Sequence, residues 1–240
     1  MMKEVGVCLV VNDCYHETKY CIENLISKTR YNIRLHILDN GSEDIRVTEY
    51  LKEISKDNKC FFIRVEKPLP LSEAYNMIIQ YSYQEYCCIF PINILVNDLW
   101  CEELISEYTD SENAGVISIR SGRENVSLST ILHKSENPEG RMKNVWFTSN
   151  NSVDGILFFA REHLEKTGMF DIRLNAEGYE TAEFTFRFAA HGMNNYYIAK
   201  HTCSKVDVEN KYLFPKKTLE GAKIVKDEIE VMVKTKHFKK

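Results

Sequence analysis

Nothing in this 240-residue chain stays apolar for the roughly 20 residues that a membrane-crossing helix needs. Its opening residues lack the basic stretch, apolar run and small-residue cleavage site of a secretory leader. None of its 8 cysteines stands in a CxxC pair. Several, such as Cys8, Cys87 and Cys88, lie inside apolar runs where a free thiol behaves as a small hydrophobe. These absences predict a reduced, soluble, cytoplasmic protein. An excess of positive charge is missing too: 31 Lys and Arg against 35 Asp and Glu leave a net charge of -4, so no basic field points to nucleic acid. There is no internal repeat and no low-complexity linker. What remains is a hydrophobic content of 44%, enough for one good core.

The first ninety residues alternate strand-like and helix-like segments. "VGVCLVV" (5–11) is apolar throughout, the mark of a strand covered on both faces. A polar turn precedes an amphipathic segment from about Glu17 to Thr29. "RLHILD" (34–39) reads as a second strand, and Ser42 or Asp44 as the cap of a helix bearing Tyr50, Leu51 and Ile54. "CFFIRV" (60–65) is a third strand, Ser72 the cap of the next helix, and "YCCIF" (86–90) a fourth strand. This alternation predicts an α/β layer with a mostly parallel sheet. The second half adds strands at 115–120, 155–160 and a short one at "NYYIA", and helices in "EHLEKTG" and "YETAEFTFRFAAHG". A polar stretch separates Ser121 from Asn151.

Open α/β sheets bind ligands beyond the carboxyl ends of their strands. After the first strand come Asn12 and Asp13. After the second come Asp39, Asn40, Gly41, Ser42 and Asp44. Asn76 follows the third, and Pro91, Ile92 and Asn93 follow the fourth. Taken singly, each set also reads as an ordinary turn or helix cap.

Their order along the chain resembles the inverting family-2 glycosyltransferases, whose fold is the nucleotide-sugar-binding GT-A fold. "LHILDNGSED" resembles the family's second strand and nucleoside loop, "LSEAYNMII" its A-x-N helix, and "PINILVNDLWCEEL" the strand of its metal-binding DxD motif. "VDGILFFAREHLEKTGMFDIRL" resembles its acceptor-side segment, and "GYETAEFTFRFAAHGMNNYYIA" its EDxD helix. The resemblance implies a single GT-A-like domain over 1–210, with a nucleotide-binding half (1–100) and an acceptor half (101–210). A helical basic tail (211–240) follows. Asp39 would accept hydrogen bonds from the nucleobase or ribose. Asn12, Asp13, Asn40 and Ser42 would line the nucleotide loop, and Asn76 would lie near the nucleotide or fix the loops around it.

The chain departs from that pattern at three chemically demanding places. Pro91 and Asn93 stand where the two DxD aspartates are expected. Proline has no ligand atom, and one neutral amide oxygen suits a hard cation poorly. Asn93 is therefore a weak metal candidate, and Mg²⁺ or Mn²⁺ would bind with low affinity if at all. Thr181 stands where the family has its base aspartate, which leaves Glu180 and Glu183 as candidate bases. Glu183 has the alternative of pairing with Arg187 one turn on. Lys205 falls near the place of a metal-ligating histidine, with His201 close by. An ammonium there could offset diphosphate charge in place of a metal.

The expected function is transfer of a sugar from a nucleotide-diphosphate sugar to a glycan, lipid-linked or protein acceptor hydroxyl with inversion, with little or no need for metal. The alternative is a catalytically silent module that binds a nucleotide, glycan or partner protein. Trp100, Trp146 and Tyr179 are candidates for stacking on a sugar or base, against the commoner role of core packing. The loop from His133 to Met142 is a candidate lid. The lysine-rich end around His237 and Phe238 offers a peripheral membrane or protein contact, and homo-oligomerisation is open.

Overall fold

The computed structural model describes residues 4–121, 145–147, 155–174, 179–208, 210, 212–213, 220–221 and 223–227. The lid candidate at 133–142 and most of the basic tail lie outside them.

The first strand, β1 (Val5–Val11), is buried at every position, as its unbroken apolar run demands. Helix α1 (Tyr15–Lys28) buries Thr18, Cys21, Ile22 and Leu25 at helical spacing. Strand β2 (Ile33–Asn40), helix α2 (Ile45–Ile54), strand β3 (Cys60–Val65), helix α3 (Leu71–Tyr81) and strand β4 (Tyr86–Ile89) follow. All three pairings among these four strands are parallel, in the order β3-β2-β1-β4. Because β2 lies on one side of β1 and β4 on the other, the connections diverge there. That switch point opens a crevice beyond the carboxyl ends of β1 and β4.

The second half builds onto β4. Strand β5 (Ile94–Leu95) and helix α4 (Trp100–Asp110) lead to β6 (Ala114–Ser121), β7 (Val145–Phe147) and β8 (Leu157–Ala160). A 3₁₀ turn (Arg161–His163) runs into α5 (Leu164–Thr167), and a second 3₁₀ turn spans Ile172–Leu174. Helix α6 (Glu180–Ala190) and strand β9 (Asn194–Lys205) close the series. Strand β8 runs antiparallel to β4 and β6, β9 runs parallel to β6, and the full order is β3-β2-β1-β4-β8-β6-β9-β5 with β7 on β9.

Two local expectations need correction, and alternatives left open by the sequence are decided. Ser72 does not cap α3: Pro70 holds that position, and its fixed φ turns the chain into the helix two residues earlier. The cap of α2 is Asp44, whose carboxylate accepts from the Arg46 N–H at 3.0 Å, while Ser42 serves the neighbouring loop. The last strand runs far beyond "NYYIA", because its carboxyl end finds a partner in β5. Trp100 packs in the core, edge-on to Phe90 at 5.3 Å, with its indole N–H donating to Thr29 Oγ1 at 2.8 Å. It therefore faces no ligand. The side chain of Trp146 lies outside the described residues.

Candidate nucleotide and acceptor site

The loops beyond β1 and β2 are built as one unit. Asp13 and Cys14 both take left-handed backbone angles, φ 49 and 52. This turns the Asp13 carboxylate across to the next loop, where Oδ1 accepts from the N–H groups of Glu43 (2.7 Å) and Asp44 (2.9 Å). In return Ser42 Oγ accepts from the Asp13 N–H at 2.9 Å. Asn12 donates from Nδ2 to the Asn40 carbonyl at 2.8 Å. Asn40 then clamps the loop after β3, exchanging two 2.8 Å hydrogen bonds with the backbone of Leu69. Between them sits Gly41, at φ +73. A Cβ there would come within 2.7 Å of the Pro68 nitrogen, so only glycine fits.

Asp39 is the electrostatic centre of this unit. It is 0% exposed. Oδ1 accepts from the Ser42 N–H (2.9 Å), and Oδ2 accepts from the Thr48 hydroxyl (2.7 Å) and the Arg64 guanidinium. Arg64 also donates to the Ser42 carbonyl at 2.8 Å. An ionised carboxylate is tolerated in such a place only when charge-paired and fully hydrogen-bonded, which this one is. Asp39 thus ties β2, α2 and β3 together, with both oxygens engaged inside the protein.

Asn12, Asp13, Asp39, Asn40 and Ser42 therefore come together, and their side chains brace the loops against one another. Three of their partners escaped the sequence reading. Arg64 is a lone charge in an apolar strand, and only its register opposite Asp39 reveals its role. Thr48 lies one turn inside α2. Asn210 donates from Nδ2 to the Asn12 carbonyl (2.9 Å) and Oδ1 (2.8 Å), a contact across almost two hundred residues that no local signal announces.

Asn93 and Lys205, remote in sequence, are brought to the same place. Strand β5 pairs antiparallel with β9, matching Ile94 to Lys205, and the Val206 N–H donates to the Asn93 carbonyl at 2.8 Å. A metal site is a poor fit to this turn. Proline supplies no ligand, Asn93 one neutral oxygen, and the neighbouring lysine is itself a cation. Among the described residues no group of three or more His, Cys, Asp or Glu is placed to hold a metal ion.

The candidate bases lie on α6. Glu183 is 1% exposed and pairs with Arg187 four residues on (Oε2–Nη2 3.1 Å), as its alternative reading anticipated. Arg187 in turn donates to the carbonyls of Thr167 and Met169. Glu180, 3% exposed, opens the helix, and its charge combines with burial to push the Tyr75 phenol above its usual range. Burial would likewise raise Asp171, but the guanidinium and backbone N–H of Arg173 outweigh it and hold that carboxyl below its ordinary value. Asn76 makes no hydrogen bond to the loops after β1 and β2. Its amide exchanges two 2.8 Å hydrogen bonds with the backbone of Phe170.

Solved structures share this architecture. The mannosyltransferase PcManGT from Pyrobaculum calidifontis, in complex with GDP-Man and Mn²⁺, superposes with a TM-score of 0.70 at 13% identity, over 88% of this chain and 59% of that one. GalNAc-T7 with UDP, GalNAc and Mn²⁺ gives 0.73 at 14%, over 94% and 48%. TarS 1–349 from S. aureus gives 0.64 at 11%, over 83% and 59%. The chain thus spans between about half and three fifths of the length of these proteins, and the likeness establishes the GT-A fold. A search of curated proteins finds no match. The model of Glycosyl transferase family 2 matches residues 7–174, more than half of the chain, and the chain belongs to that family.

Proposed function

We propose that this family-2 chain transfers a sugar from a nucleotide-diphosphate sugar to an acceptor hydroxyl with inversion, and that it does so with little or no dependence on a divalent cation. The observation that carries the reading is the convergence, at one end of the sheet, of the braced β1 and β2 loops with the Pro91–Asn93 turn and Lys205. Residues 1–100 form the nucleotide-binding half in this reading and 101–210 the acceptor half. PcManGT and GalNAc-T7, crystallised with GDP-Man and with UDP and GalNAc, make a nucleotide sugar the natural donor class. Glycans, lipid-linked sugars and proteins are the acceptor classes.

In the reaction, the acceptor oxygen forms a bond to the anomeric carbon opposite the departing diphosphate. The bond from that carbon to the phosphate oxygen breaks, and its electron pair leaves with the nucleoside diphosphate. The hydroxyl proton passes to a base. Glu180 is the better candidate, because the charge of Glu183 is already committed to Arg187. Lys205 would meet the charge growing on the leaving diphosphate, the task that a metal performs elsewhere.

The test is transfer followed by NMR assignment of the product anomer. Glu180→Gln should lower kcat by about 100-fold or more, and a retained anomeric configuration would rule out single displacement. If neither Glu180→Gln nor Glu183→Gln slows turnover, the base lies elsewhere. A second reading, a module that binds a nucleotide, glycan or partner without transfer, draws support from the burial of both glutamates. Donor binding with neither transfer nor donor hydrolysis would establish it.

A further inference from the structure

Beyond the bonds that tie Thr167 and Gly168 back to α5, the segment Thr167–Phe170 is held by side chains from two helices that approach it from different halves of the molecule. From α6, Arg187 takes the carbonyls of Thr167 and Met169. From α3, Asn76 takes the N–H and the carbonyl of Phe170, at 2.8 Å each. The Phe170 ring completes the junction: it stacks on Phe184 of α6 (4.1 Å between centroids, 5° between planes) and lies 5.1 Å from Tyr75 of α3. These contacts run from α3 through Phe170 to α6.

We propose that Asn76 is a positioning residue, a latch that sets the acceptor-side carboxylates against the nucleotide half. The inference rests on the reading of this site as a glycosyltransferase. An amide is the one small side chain that donates and accepts at once in this geometry, so it reproduces the pairing a neighbouring strand would give Phe170. The latch fixes Phe170, the stacked ring fixes Phe184, and α6 carries Glu180 and Glu183 into place. Both hydrogen bonds of the Asn76 amide go to Phe170 and none to the loops of Asn12, Asp13 and Asp39, so its loss should leave the donor side alone.

The experiment separates those two sides. Asn76→Ala should leave donor affinity by calorimetry within about twofold, yet lower kcat/KM for the acceptor by about 100-fold, the scale of a 1 Å misplacement. Asn76→Asp still accepts from the Phe170 N–H but has no amide donor for the carbonyl, and should fall between. Hydrogen–deuterium exchange should quicken at Phe170 to Leu174 and at the start of α6, with the β1–α1 and β2–α2 loops unchanged. Loss of donor affinity in step with transfer would overturn the proposal, as would unchanged exchange at Phe170. If Asn76→Ala does not fold, Asn76→Asp decides on the same readouts. If the unmodified protein transfers nothing, the transferase reading fails, and the exchange pattern alone still decides the latch.

Discussion

Asp39, at the carboxyl end of β2, stands in the loop that the proposed function gives to the nucleotide, and its carboxylate is engaged by Ser42, Thr48 and Arg64. Removing one partner of a buried pair leaves a charge without compensation, which costs about 3–5 kcal/mol when both partners are fully buried. Arg64 is 31% exposed, so solvent recovers part of that. Arg64→Met should therefore cost about 2 kcal/mol in urea denaturation, and Asp39→Asn with Arg64→Met should cost less than the two changes summed. Strict additivity would mean that the pair contributes nothing. Gly41 makes a sharper case: Gly41→Ala must both hold φ +73 and displace Pro68, and should weaken donor binding along with stability.

Among the elements, β2 carries a pH response. His36 is buried, with Nε2 donating to Gln84 Oε1 at 2.9 Å and Nδ1 without a partner. Burial lowers its pKa, Arg34 and Arg161 add to the effect, and Gln84 and Glu4 oppose it. Above the unfolded value of about 6.5 the ring is neutral in both states and contributes no pH dependence. As pH falls through that value, the unfolded chain takes up the proton more readily and stability declines. The melting temperature should drop between about pH 6.5 and 5, and His36→Gln should flatten that part of the curve. An identical slope in both proteins would exclude His36 as the source.

The elements also mark where sequence reading ends. Strands β1 and β4 were legible because burial on both faces forces continuous apolar runs, and β2 and β3 were legible from apolar runs that are buried only in part or half-buried. Strand β5 was not, since two residues carry no periodicity and exist as a strand only through β9. At the site, strand-end positions were readable from the order of the polar sets. Their partners were not: the Asp39–Arg64 pair depends on strand register, the Asn12–Asn210 contact on the path of the chain after β9, and the Asn76 latch on a loop ninety-four residues away.

At the scale of the whole molecule, the chain is a GT-A fold in which a lysine lies beside the turn where the family resemblance places a metal-binding acidic pair. No helix among the described residues is long and apolar enough to cross a membrane. The crevice at the switch point thus depends on the braced loops on one side and on the register of β5 with β9 on the other. A cavity of about 210 Å³, lined by Ile26, Tyr31, Ile33 and Leu35 together with Asp57 and Lys59, opens at the opposite end of β2 and β3, away from this chemistry.

The central claim is donor binding without a resident metal, and calorimetry with UDP, GDP, CDP and dTDP sugars tests it most directly, with and without Mn²⁺, on the unmodified chain and on Lys205→Ala. One donor class should bind, with an affinity that Mn²⁺ changes less than about threefold and that Lys205→Ala weakens by about tenfold, the scale of one charge-assisted contact. Failure of every donor to bind, or binding that tightens strongly with Mn²⁺ and ignores Lys205→Ala, would contradict the account.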